Sequence, residues 1–337
     1  MKKLILIFTI VTGFSTTYAQ KDIAVVNADT TIFCHSISEA ITKSISGDTI
    51  YLPGRSFSES PIINKNLCII GTGHYPDSTL ASGRTLISGN ITMQNGSSSG
   101  SIEGLYLTGT IVFSANHVIN NYTIKRVNVN DINTSNRHAD STNVGLTVTE
   151  CVVRGSIIGD VDWSNVLIEK SIIQSQCQYF DNNTLFIHNV FLYKSTYSSI
   201  YICTNCRIFS NVIMCVNAID YDCTGCEFDN NIIVNNSAIG ASNTITNCLR
   251  GVDWSTIFTN YDNSQVFSYD FDFSLKVRTD IGTSGLNVAD LGLYDNTMPY
   301  KTASVPFNPH ISEKSVSRET DNAGNINVQI KVAAQDK

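Results

Sequence analysis

A short phrase of two polar residues followed by two apolar ones recurs through the middle of this 337-residue chain. It stands as Lys170-Ser171-Ile172-Ile173, His188-Asn189-Val190-Phe191, Ser210-Asn211-Val212-Ile213 and Asn230-Asn231-Ile232-Ile233, at spacings of 18, 22 and 20 residues. A period in that range marks one supersecondary unit stacked on copies of itself. Within each unit, runs of Ile, Val, Phe and Tyr are separated by Asn, Ser, Thr, Asp and Gly, which are strand and turn residues. About 20 residues suffice for three short strands and three turns, one coil of a parallel β-helix. Earlier copies stand at Thr149-Glu150-Cys151-Val152-Val153, Lys125-Arg126-Val127-Asn128-Val129 and Glu103-Gly104-Leu105-Tyr106-Leu107. The pattern predicts an all-β solenoid of roughly nine or ten coils between residues 60 and 260, a rod about 45 Å long.

Stacking turns successive phrases into columns. Asn189, Asn211 and Asn231 share one column, expected at a tight turn because Asn tolerates left-handed backbone. Their amides are placed to bond along the axis. Arg126, Glu150 and Lys170 share a column of alternating charge, and Arg207 lies one coil before Glu227. Both are expected to be solvated ladders of opposite charge with a structural role.

Only 15% of residues are charged and the formal net charge is −7. No basic patch with interleaved aromatics stands out, so nucleic acid is not an expected partner. Met1-Lys2-Lys3, the apolar run Leu4 to Phe14 and Thr17-Tyr18-Ala19 form a secretory signal over residues 1–19. The mature chain is then expected to begin at Gln20 and to be exported, to the medium, the periplasm or the cell surface. The leader is too short for an anchor, and no later segment approaches a membrane-spanning length.

Ile23 to Val26 form one apolar strand, and Ser36-Ile37-Ser38-Glu39 has the form of a capping box opening a short helix. Ile37, Ala40, Ile41 and Ile45 are expected on its apolar face, and Gly47-Asp48 ends it. A tube of coils has an open apolar end, which this helix is expected to cover. Thr49-Ile50-Tyr51-Leu52-Pro53-Gly54 and Leu67-Cys68-Ile69-Ile70-Gly71-Thr72-Gly73 follow. Together with the coil phrases, these segments resemble secreted right-handed parallel β-helix proteins of the pectate-lyase-like (pectin lyase fold) superfamily, over about residues 30 to 260. The resemblance implies right-handed coils in one domain over 20–298. Ala19-Gln20 and the tail look like Bacteroidetes-type export products. Residues 299–337 carry Pro299, Pro306, Pro309 and the alternating run Ile326 to Val332, and are expected to form a C-terminal cap or short β appendage.

The chain has ten cysteines. Cys203-Thr204-Asn205-Cys206 and Cys223-Thr224-Gly225-Cys226 have the outward form of a four-thiolate zinc site. Both offsets equal one coil, so the pairs also stack as two columns at one turn. A buried reduced ladder, one or more disulfides and a metal site all remain open, with zinc the least favoured. Cys34, Cys68, Cys151 and Cys248 are simplest as small core residues.

The lyases of the superfamily usually hold calcium on carboxylates of adjacent coils and use an Arg or Lys base. The Arg-x-Pro-x-x-Arg motif of pectate lyases is absent, as are the Asn-Thr-Asp, Asp-Asp and Gly-His-Gly motifs of polygalacturonases. The remaining acids are Asp160 and Asp162, and Asp220 and Asp222; strand alternation would turn both members of each pair to one side. Gln176, Gln178, Ser199 and Tyr201 occupy comparable positions on the coils between, a composition suited to a sugar-binding groove. Arg154 and Lys194 are the nearest candidate bases. His188 is expected to be structural, and Trp163 and Trp254 to be core residues. The expectation is an exported, non-catalytic protein that holds a polysaccharide or cell-surface component along one face, with no cofactor. The alternatives are a polysaccharide lyase or glycoside hydrolase acting in that groove, with calcium if a lyase, and a structural rod or adhesin stalk.

Overall fold

Apolar strands two to eight residues long stack in parallel register from one coil to the next, building a solenoid of about nine turns. The structure, a computed structural model, describes residues 22–334 apart from 135–142, 161–162, 182, 193–197, 217–218, 265, 277–284, 295–296, 303 and 308. The leader predicted over 1–19 therefore lies outside the described residues, as do Asp162 and Lys194. Three faces repeat in every turn. The first carries Leu167–Glu169, Leu185–Ile187, Arg207–Phe209 and Glu227–Asp229 in register. The second carries Val152–Val153, Ile172–Ile173, Val190–Phe191, Val212–Ile213 and Ile232–Ile233. The third carries Ile157–Ile158, Cys177–Gln178, Ile200–Tyr201 and Asp220–Tyr221.

The corner from the first face to the second explains the polar half of the phrase. One residue there takes left-handed backbone in eight successive turns: Gly104, Arg126, Glu150, Lys170, His188, Ser210, Asn230 and Asn247, with φ between 46° and 68°. Gly104 suits its place for a second reason, because a Cβ there would come within 2.5 Å of Pro306. Asn189, Asn211 and Asn231 lie one residue further on, so the expected left-handed Asn column is displaced by one position. These three are fully buried. Each caps the backbone of the coil before it: Asn189 N donates to Asn211 Oδ1 at 2.8 Å, and Asn211 N to Asn231 Oδ1 at 2.9 Å. Amide-to-amide bonds of 3.1 Å run along the same column, as expected. Ser171 takes the same place one turn earlier, accepting from Cys151 N through Oγ. A turn exposes backbone groups that a buried corner must satisfy, and a short amide side chain does so once per coil.

The apolar half of the phrase has a different cause. Ile173, Phe191, Ile213 and Ile233 fill the tube, whereas Ile172, Val190, Val212 and Ile232 point the other way and are still at most 1% exposed. They belong to a second core with Ile257, Phe258, Phe273, Leu291 and Leu293. The chain beyond the last turn thus folds back along the second face, pairing Phe258–Asn260 with Asp272–Leu275 antiparallel on the way. A parallel strand buried on both sides needs consecutive apolar residues rather than alternation.

At the start of the described chain, Ile23–Val26 pairs antiparallel with Thr31–Cys34 and Thr49–Tyr51. The helix α1 spans Ile37–Lys43. Ser36 Oγ accepts from Glu39 N at 3.1 Å, while the Glu39 carboxylate accepts from His35 N, one residue before the position of a full capping box. Ile37, Ala40 and Ile41 join the core of the tube. Ile45, expected on the same face, is 64% exposed because the helix stops at Lys43 and Ser44 is extended. At the other end, His310–Val316 and Val328–Ala333 form an exposed antiparallel hairpin.

Candidate binding surface on the third face

Along the third face, one column points into the tube and the next points out. Ile132, Ile157, Cys177 and Ile200 fill the inward column and are completely buried. Their outward neighbours Gln178, Tyr201 and Tyr221 lie in register. Gln178 and Tyr201 are half-buried and Tyr221 is 51% exposed. The Tyr201 and Tyr221 rings stack at 5.6 Å and 19°. Tyr179, which follows Gln178 with φ 63°, packs edge-on against Tyr201 at 6.1 Å and is itself exposed. Three tyrosines on three successive turns therefore form an aromatic ladder. Aromatic surface edged with phenol hydroxyls binds partners that have an apolar body and polar rim.

The residues expected to line a groove separate in two. Gln178 and Tyr201 are on the outward column, and Gln176 is half-buried with its Nε2 donating to Ser198 O at 3.0 Å. Ser199 is fully buried, so it faces no ligand. Asp220 occupies the inward column after Ile200, is 7% exposed, and accepts from Gly240 N at 2.8 Å and Asn243 Nδ2 at 2.9 Å. Asp222 is exposed. The expected alternation fails for this pair because Asp222 turns the chain with left-handed backbone, φ 53°. Asp160 is likewise buried. Only Asp222 of the described candidate acids is on open surface. Arg154 donates from Nε to Asn128 Oδ1 and from Nη2 to Leu107 O. A guanidinium so held acts as a fixed cation, since arginine does not give up its proton in proteins.

Tyr179 and Tyr221 were not among the residues singled out by sequence. Tyr221 lies one coil after Tyr201 at a spacing of 20, the same register that located Glu227 after Arg207.

The two Cys pairs sit at the corner between the third and first faces, inside the tube. Cys203 N lies 3.4 Å from Cys223 Sγ, and each of the four thiols points at the carbonyl two residues before it. All ten cysteines are free, and burial pushes the Cys151 thiol up to about 12 and the Cys177 and Cys203 thiols well above the ordinary range. The two pairs stack one coil apart, as the repeat predicts, with Thr204 bridged to Thr224 between them. No group of three or more His, Cys, Asp or Glu among the described residues is arranged to hold a metal. Trp163 is core, as expected.

The charge column at the first corner is less solvated than the sequence suggests. Arg126 is completely buried, donates to both oxygens of Glu150 at 2.9 and 3.3 Å, reaches Glu103 at 3.3 Å and bonds Val305 O at 3.0 Å. Its guanidinium stacks 3.9 Å from the Phe307 ring centroid. Beside it lies a cavity of about 320 Å3 lined by Lys125, Glu150, Glu169, Lys170, Lys301 and Phe307, among others. Arg207–Glu227 is exposed, as expected, at 3.2 Å. His188 is buried at the same corner with Nε2 3.2 Å from Asp290 of the returning chain, and burial lowers its proton affinity.

Among the described residues no helix is long and apolar enough to cross a membrane. No family model, curated protein or solved structure matches this chain. Geometry alone therefore places it among the parallel β-solenoids, with an aromatic ladder on one open face.

Proposed function

We propose that this protein is an exported, non-catalytic β-helix that holds a polysaccharide or another extracellular partner along its third face. The observation that carries the reading is the open ladder of Tyr179, Tyr201 and Tyr221 on the face where two of the four acids expected to do chemistry are buried. A ladder that repeats with the coils suits a ligand that itself repeats. The leader and the likeness to right-handed β-helices of the pectate-lyase-like superfamily support export and handedness, and the burial of Ile37, Ala40 and Ile41 in the core supports a helical cap. The test is retention of the protein by immobilised or gel-embedded polysaccharides, neutral and acidic. The triple substitution Tyr179→Ala, Tyr201→Ala, Tyr221→Ala is expected to abolish retention while leaving the fold intact. Unchanged retention by that variant would refute the ladder as the site.

The alternative is a lyase or hydrolase. One observation favours it, the cavity in which Glu150 and Glu169 lie among Lys125, Lys170 and Lys301. Carboxylates and lysines together can supply acid and base to a glycosidic bond. Product from any polymer, with or without calcium, that disappears in Glu169→Gln would replace the binding reading with this one.

A further inference from the structure

From Val152 onward the second face is sealed by apolar residues of the returning chain, whereas its earlier part carries polar residues, with Tyr269 of that same chain on Asn128. The outward column there runs Leu86, Tyr106, Asn128, and then Val152. Two guanidiniums rest on the middle of it. Arg84 lies 4.7 Å and Arg154 4.8 Å from the centroid of the Tyr106 ring. Neither has a carboxylate partner among the described residues, in a chain whose acids outnumber its Lys and Arg by 29 to 22. Every other arginine–aromatic contact at a half-buried or buried position is tied down: Arg126 by two glutamates and Arg55 by the His35 carbonyl. Arg154 is fixed through Nε and Nη2, leaving Nη1 to donate. Arg84 is half-buried and makes no hydrogen bond among the described residues.

The rim of this patch is aromatic and polar. Tyr269 Oη accepts from Asn128 Nδ2 at 2.9 Å and lies 3.1 Å from His74 Nδ1. Tyr75 packs edge-on against Tyr269 at 4.6 Å. His74 is completely buried and, with Arg84 close by, its proton affinity falls far below the ordinary range, first from burial and then from that charge. Both guanidiniums act on Tyr269, and no carboxylate among the described residues is within ion-pair distance of either. Two like charges held on one ring repel, and a bound anion would relieve them both.

We propose that Arg84, Tyr106 and Arg154 form a binding site for an oxyanion, a carboxylate or sulfate carried on a sugar ring. The guanidiniums take the oxygens and the surrounding tyrosines take the ring. The saccharide part of this assignment rests on the binding function proposed above; the anion part stands on the two uncompensated arginines. It makes this protein a reader of charged glycans at a place separate from the tyrosine ladder.

The experiment is titration of the full protein with three oligosaccharides of equal length: one carboxylated, such as an oligogalacturonate, one sulfated and one neutral. At least one acidic arm is expected to bind about tenfold tighter than the neutral one and to weaken as salt is raised. Whichever arm it is names the source of the anion. Arg84→Gln removes no hydrogen bond from the fold, so it is the clean variant. It is expected to lower acidic binding about tenfold and leave neutral binding unchanged, while Arg84→Lys keeps most of the acidic binding. Tyr201→Ala with Tyr221→Ala separates the two readings: if neutral binding persists in that variant while Arg84→Gln loses the acidic arm, the ladder fails and the arginine site stands. Acidic ligands bound no tighter than neutral ones, or bound equally by Arg84→Gln, would overturn the proposal.

Discussion

The second and third faces of the solenoid are built from the same coils, yet the outward column of one is core and that of the other is surface. On the second face, Val152, Ile172, Val190, Val212 and Ile232 are sealed under Ile257, Phe258, Phe273, Leu291 and Leu293. On the third, the same rank of residues reads Ile158, Gln178, Tyr201 and Tyr221, and Tyr221 is half in solvent. Backbone pairing does not distinguish them. What differs is where the chain goes after the last coil, which seals the outward column of one face and leaves Tyr221 on the other in solvent.

The strap over the second face is held at its end by the buried ion cluster of Arg126. Arg126→Ala leaves Glu150, 7% exposed, without its main partner, and an unpaired buried charge costs about 3–5 kcal/mol. Chemical unfolding of this variant is expected to show that loss. A change below about 1 kcal/mol would mean that the strap does not depend on the cluster.

A pH effect under the same strap comes next in size. His74 is fully buried, with its pKa pushed down to about 3, against 6.5 for a free histidine. The unfolded chain therefore takes up a proton near pH 6.5 that the folded chain refuses until about pH 3. Stability is complete above pH 6.5 and falls as the pH drops through that window, by up to a few kcal/mol. Thermal melts from pH 7 to 4 should decline, and His74→Phe should flatten the decline. An equally steep fall in the variant would assign it to other groups.

The corner shared by the first and second faces offers a third test. Asn211→Ala strands Asn189 N and takes a donor from the carbonyls of Phe186 and Phe209, the latter keeping its bond from His188 N. Buried unsatisfied groups of this kind cost about 1–3 kcal/mol each, partly relieved by relaxation, so a loss of about 3 kcal/mol is expected in denaturant titration. The smallest effect belongs to the open rung Arg207–Glu227. Both side chains are about half exposed, and Arg207→Ala or Glu227→Ala should cost under about 1 kcal/mol in the same assay.

Much of this was legible in the repeat. The phrase located the second-face strands, the one-coil offset of the Cys pairs and the Asn column. Its apolar doublets also carried the two-sided burial, because Ile172-Ile173 cannot alternate. That meaning needed a partner for the outward residue, and nothing in a periodic pattern shows that Phe258 and Leu293 return to cover it. Asn189 was placed one residue off its left-handed neighbour for a related reason: period identifies a column, and only backbone angles say which member of a turn carries the strain. Asp220 was misplaced because an acid is expected outside. In register it follows Ile157, Cys177 and Ile200 into the tube, where Gly240 N and Asn243 hold it. Arg84 and Tyr106 lie on different coils, and no local motif announces their meeting.

The most direct measurement sets Ile232→Ala beside Tyr221→Ala in equilibrium unfolding. Both residues point outward from neighbouring faces near the end of the solenoid. If the returning chain makes the second face a core, Ile232→Ala loses about 2–4 kcal/mol, the range for emptying a buried aliphatic site, and Tyr221→Ala loses less than about 1. Equal and small losses would contradict the account, for they would mean that both faces meet water.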